Sequence, residues 1–114
     1  MSYITVYRVE NDFQEGPYAS DEFDEMILQH GRDCDGNHPA PFQDGLERAI
    51  HLGHTFGFLS LIDLAQWFDG WLPSLREADF RIVSMEVPRQ VLMRGTSGRQ
   101  VTFDRKQGIN VREI

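Results

Sequence analysis

The side chains of this sequence that stand out for the chemistry they could do are Arg8, Cys34, His51, His54 and Ser60. Arg8 follows Tyr3-Ile4-Thr5-Val6-Tyr7, an alternating stretch that sets its guanidinium in line with Ile4 and Val6 on one face of a strand. A planar fork in that place has two readings. Either it lines a cleft and binds phosphate or carboxylate, or it reaches solvent or pairs with Glu10 at the strand end. Ser60 has the short hydroxyl of a helix N-cap, with Asp63 three residues on to favour the positive helix end. His51 and His54 are spaced as neighbours on a helix, which raises a metal pair. With Gly53 between them and neither a carboxylate nor a third histidine at suitable spacing, no metal is expected, and they read as surface or cleft histidines. Cys34 lies between Asp33 and Asp35, whose carboxylates work against a reactive thiolate, so no nucleophile is assigned there.

The elements that must position these groups follow from periodicity. Tyr3 to Val9 reads as a strand, rich in β-branched and aromatic residues. Gly16-Pro17-Tyr18 is a turn, after which Ser20 caps a helix to about His30, with Phe23, Met26, Ile27 and His30 at helical spacing and Gly31 ending it. Arg32 to Asp44 is too rich in Asp, Gly, Asn and Pro to be helical, and its Asn37-His38-Pro39-Ala40-Pro41-Phe42 either packs over a cleft or crosses the surface. A short helix over Leu46, Ala49 and Ile50 takes Asp44 as its cap. Gly57-Phe58-Leu59-Ser60 turns into the helix that organises the chain, with Leu61, Leu64, Ala65 and Phe68 on its buried face. Gly70 and Leu72-Pro73 stop it. Phe80 to Val87 is a strand, Gln90 to Met93 and Arg99 to Phe103 form a hairpin around Gly95 and Gly98, and Ile109 to Arg112 is a last strand. This order predicts one α+β domain, residues 1–114, on a largely antiparallel sheet with short helices.

Bulk properties limit the partners. The chain of 114 residues carries a formal charge of −7, which disfavours direct binding to nucleic acid or anionic lipid. Residues 10–35 hold nine acids against one base, whereas residues 76–114 hold eight bases against five acids. The acidic stretch is either a solvated face or a docking surface for a basic protein. Tyr18, Phe42, Trp67 and Trp71 can anchor such an interface if exposed, although core packing suits Phe42 and at least one tryptophan. A lone cysteine allows no intrachain disulfide and fits the cytosol, and no stretch approaches a membrane span.

Several short motifs, in order, resemble the arginine-serine-glutamate class of the ADP-ribosyltransferase-like fold. They are Tyr7-Arg8 on the first strand, Phe58-Leu59-Ser60 entering the Ala65-Gln66-Trp67-Phe68 helix, a strand ending Glu86-Val87-Pro88, and Gly98-Arg99-Gln100-Val101-Thr102-Phe103 before a final strand. The resemblance implies NAD as ligand, with Arg8, His54, Phe58 and Ser60 binding it and Arg8, Ser60 and Gln100 in the catalytic positions. There the arginine would hold phosphate, the serine would position the nicotinamide ribose, and the third residue would bind that ribose and offset the transition-state charge. This sequence departs at the third position. Gln100 is neutral where the class has glutamate, Gly98 replaces its first acid, and Leu61-Ile62 replaces Thr-Ser. Loss of one such charged group typically costs on the order of 10²- to 10³-fold in rate. The chain is also similar to small phage and prophage proteins with a Tyr-Arg-Val-Glu start, a Gly-Pro-Tyr turn and a Gly-Phe-x-Ser-Leu helix ending Trp-Phe. That likeness implies an accessory protein acting on a host factor, for example against a defence complex, and the implied reading is a host-protein binder or modulator, with a weakened NAD-dependent transferase as the alternative.

Overall fold

The computed structural model describes residues 2–32 and 38–114; Cys34, Asn37, Asp33 and Asp35 lie outside them. Strand β1 (Tyr3–Glu10) pairs antiparallel with β3 (Arg81–Pro88) along its whole length, Tyr3 opposite Pro88 and Glu10 opposite Arg81. On the far side of β3 lies β6 (Ile109–Glu113), completing a first sheet in the order β1-β3-β6. A second antiparallel sheet runs β2-β5-β4, from Thr55–Gly57, Val101–Phe103 and Met93–Arg94. The expected single antiparallel sheet is thus two sheets of three strands, joined where Tyr7 and Phe58 exchange backbone hydrogen bonds of 2.8 Å.

The alternation of β1 explains why both of its faces are covered. Ile4 and Val6, opposite Val87 and Met85, pack with Val83, Val101 and Phe103 between the sheets. Val9, opposite Ile82, faces the helices with Phe23, Met26, Phe58, Leu64, Trp67, Phe68, Leu75 and Phe80. Burial of a large apolar side chain contributes roughly 1.5–3 kcal/mol each, so these two clusters are the main source of stability.

The helices α1 (Asp24–Arg32), α2 (Glu47–His51), α3 (Leu61–Trp67) and α4 (Leu72–Glu77) complete the fold. Ser20 accepts from Glu22 N and starts a short 3-10 turn that leads into α1, which continues through Gly31 to Arg32 rather than stopping at Gly31. Ser60 caps α3 as expected, its hydroxyl accepting from Asp63 N at 3.1 Å. The buried stripe of α3 differs from the expected one. Leu64, Trp67 and Phe68 are buried, while Leu61 and Ala65 face outward, because the indole and phenyl rings fill the core better than an alanine methyl.

Further differences have local causes. Helix α4 was expected to be a stop at Leu72-Pro73, but a proline at the first helical turn needs no N–H partner and starts the helix. Strand β2 is only three residues long, too short for its alternation to register against the glycines around it. Phe42 is 68% exposed instead of packing in the core, and Ile50 faces solvent while Leu46 and Ala49 are buried. Asp44 is not the cap of α2, whose N-cap residue is Leu46 with no side-chain bond. Its buried carboxylate instead accepts from Ser97 N at 2.6 Å and from Gln100 Nε2 at 3.0 Å, tying the 40–45 turn to the β4–β5 hairpin.

The seam between the sheets leaves no room beside Gly57, where a Cβ would lie 2.6 Å from Val6 Cγ1 and 3.0 Å from the Tyr7 carbonyl oxygen. Gly57→Ala should therefore lower unfolding free energy by about 1–3 kcal/mol. Gly31→Ala, in a helix with nothing among the described residues within 4 Å of the new methyl, should raise it by about 0.4–1 kcal/mol. Urea denaturation of the two variants checks the opposite signs.

Candidate functional site

Between the β1–β2 seam, the Gly16–Ala19 turn, α1 and the segment at 38–41 lies a cleft of about 400 Å³. Arg8, His54, Phe58 and Gln100 all line it. The first comes from β1, the next two from either side of β2, and the last from the residue before β5. Ser60 is not among the lining residues; its oxygen serves the α3 cap. His38, Pro39, Ala40 and Pro41 form one wall, so this stretch packs over a cleft. His51 is exposed on α2, apart from His54.

Arg8 is buried and has a well-defined set of partners. Its Nε donates to Glu10 Oε1 at 2.9 Å, one terminal nitrogen to the Phe56 carbonyl at 2.7 Å, and the other to the Gln14 carbonyl at 3.1 Å. Burial draws the guanidinium below its ordinary pKa, the Glu10 charge and hydrogen bond push back, and the Arg105 charge lowers it further. Both readings of Arg8 therefore have a basis: it pairs with Glu10, and it also lines a cleft. Three of its five N–H groups are occupied by these bonds. Arg105 donates to the same carboxylate, at 3.0 Å and 2.9 Å. Two guanidiniums on one carboxylate leave a net positive charge at this end of the cleft, which favours an anion.

Gln100 is held through its amide nitrogen, which donates to the Pro39 carbonyl at 2.9 Å and to Asp44 Oδ2 at 3.0 Å. Both partners are acceptors, so an amide suits the position and a carboxylate does not. A glutamate here would set a second anion beside Asp44 and leave the Pro39 carbonyl without its donor. That is a physical reason for the neutral residue at this point of the chain. His54 presents another feature. Its Nδ1 is buried and has no hydrogen-bond partner among the described residues.

The opposite wall is aromatic. The His30 and His38 rings stack with centroids 3.8 Å apart and planes 11° from parallel. His38 Nε2 lies 2.6 Å from the Trp67 carbonyl, which only accepts, so that nitrogen bears hydrogen. The Tyr18 hydroxyl accepts from Trp67 Nε1 at 2.8 Å and lies 2.5 Å from His30 Nδ1. Indole N–H is a donor only, so the Tyr18 oxygen accepts in the first bond, while the direction of the second is set by the His30 tautomer. The sequence marked Tyr18 only as an interface anchor and His38 only as part of a loop over a cleft, and His30 not as a site residue at all. The available signal was the spacing of His30 with Phe23 and Met26 on the buried face of α1.

Burial pushes the Tyr18 hydroxyl up to about 12, against the lowering effect of the Trp67 hydrogen bond. The folded protein thus holds this proton longer than the unfolded chain, whose phenol titrates near 10. The stability it contributes is complete below pH 10 and is lost as pH rises toward about 12. Denaturation measured across that window should show wild-type stability falling more steeply than that of Tyr18→Phe; parallel curves would contradict the assignment.

No curated protein and no solved structure gives a significant match to this chain. The ADP-ribosyltransferase resemblance therefore finds no counterpart in these comparisons, whereas the resemblance to small phage proteins does. No helix among the described residues is long and apolar enough to cross a membrane. A family model described as "Bacteriophage T4 Y00F protein" matches residues 1–114, and with its whole length matched the chain belongs to that phage protein family.

Proposed function

We propose that this phage protein is an accessory factor whose cleft binds a nucleotide of the NAD type, and that it acts as a binder or modulator more than as an efficient ADP-ribosyltransferase. The observation that supports this reading is the convergence of Arg8, His54, Phe58 and Gln100 on one cleft from separate parts of the chain. The motif resemblance names these four positions as ligand-binding or catalytic, together with Ser60, which lies outside the cleft lining. The net positive charge of the Arg8–Glu10–Arg105 group suits a diphosphate, and His54 lines the same cleft. Transfer chemistry is disfavoured because Gln100 has no charge to offset an oxocarbenium ion and its amide nitrogen is already engaged.

Isothermal titration with NAD tests this. Saturable binding is expected, weakened about tenfold in His54→Ala by loss of the imidazole from the cleft wall. Flat heats with a folded protein, or identical affinity in the variant, would overturn it. Arg8→Ala is a poor probe, since it leaves Glu10 and two backbone carbonyls short of a donor.

A second reading concerns the partner in the infected cell. We infer that the acidic surface within residues 10–35 docks on a basic host protein in the cytosol, in the manner of an anti-defence inhibitor. In its favour, Phe13 is 83% exposed, and the acids Asp12, Glu15, Asp21, Glu22, Asp24 and Glu25 of the same stretch are also exposed. An aromatic anchor within a charged rim is the usual form of a binding hot spot. Phe13→Ala should weaken a host complex isolated at low salt by tenfold or more, while raised salt should slow its association; a complex indifferent to both would rule this surface out.

A further inference from the structure

Tyrosine at a protein surface ordinarily buries its ring and turns its hydroxyl to water. Tyr18 does the reverse. Its hydroxyl is enclosed between Trp67 Nε1 and His30 Nδ1, yet 48% of the residue is exposed and it lines the cleft. The ring is also fixed in orientation. It meets His30 edge-on, with centroids 5.8 Å apart at 76°, and Phe68 at 6.5 Å and 54°. The turn that carries it, Gly16–Pro17, is seated against the Arg8 guanidinium, with a Cβ at Gly16 falling 3.4 Å from its nitrogen. An aromatic ring tied down by its hydroxyl, with its apolar body turned outward, loses little conformational entropy when a flat ring is laid on it.

We propose that Tyr18 is a stacking platform for a planar nitrogen heterocycle, the base or pyridine ring of the ligand held in the cleft. This rests on the reading of the cleft as a nucleotide site and names the part of the ligand that Tyr18 recognises. The Arg8 end and the Tyr18 wall then divide the work, the one meeting phosphate and the other the ring. Stacking on an exposed aromatic is worth about tenfold or more in affinity per ring.

Three probes separate the parts of the ligand: adenosine monophosphate, nicotinamide mononucleotide and ribose 5-phosphate, each titrated into wild type, Tyr18→Leu and Tyr18→Phe. At least one ring-bearing probe should bind wild type about tenfold or more tightly than ribose 5-phosphate, and which of the two does so identifies the ring. Tyr18→Leu should erase that advantage without changing ribose 5-phosphate binding, and Tyr18→Phe, which keeps the ring but loses its tie, should retain part of it. In the wild-type protein, the ring protons of the bound probe should shift upfield in its proton NMR spectrum, a readout that needs no variant to fold. If NAD binds but wild type shows no preference for ring-bearing probes, or Tyr18→Leu keeps that preference, the platform is overturned while the nucleotide cleft stands. If NAD and all three probes fail to bind, the cleft reading falls and the platform with it.

Discussion

The buried carboxylate of Glu10 accepts hydrogen bonds from Arg8 on its own strand and from Arg105 near the other end of the chain. Removal of one member of a buried charged group costs roughly 3–5 kcal/mol, because the charge left behind has neither water nor partner. Much of the architecture depends on this group. Through Arg8 it reaches the Phe56 carbonyl at β2 and the Gln14 carbonyl in the turn after β1. Through Arg105 it holds the 3-10 turn Arg105–Gln107 that feeds the last strand. A charge cluster that knits three parts of the backbone also leaves its excess positive charge at the edge of a cleft. One arrangement thus serves folding and electrostatics together.

The second constraint is the clamp made by Asp44. Its carboxylate holds the β4–β5 hairpin by Ser97 N and Gln100 Nε2, and the space for it exists only because residue 95 is glycine, where a Cβ would lie 2.0 Å from Asp44 Oδ2. Gln100 passes the constraint on to the Pro39 carbonyl and so to the wall formed by 38–41. The residue that stands where the resembling class has its catalytic glutamate is, in this protein, a fastener of the cleft.

Much of the fold was legible because it rests on local rules. The long strands β1 and β3, the hairpin, the caps at Ser20 and Ser60 and the helix through Trp67 all carry periodicity or capping signals strong enough to read directly. What was not legible depends on tertiary contact. Strand β2 is defined by its pairing with β5 and by the Tyr7–Phe58 bridge that follows it, not by its own three residues. The outward turn of Leu61 and Ala65 follows from the size of Trp67. At the site, Arg8 stood out as a charge among apolar neighbours and Gln100 by resemblance, yet the Tyr18–His30–Trp67 relay joins residues up to 49 positions apart and has no local signature.

The central question is whether the cleft between β1–β2 and the 38–41 wall takes a nucleotide. Backbone amide NMR shifts followed during addition of NAD to the isotopically labelled protein test this directly. Saturable changes concentrated at Arg8, Tyr18, His54, Phe56, Phe58 and Gln100, with the exposed acidic residues from Asp21 to Glu25 unmoved, are the predicted result. Saturable changes confined to another surface, or a spectrum unchanged throughout, would contradict it.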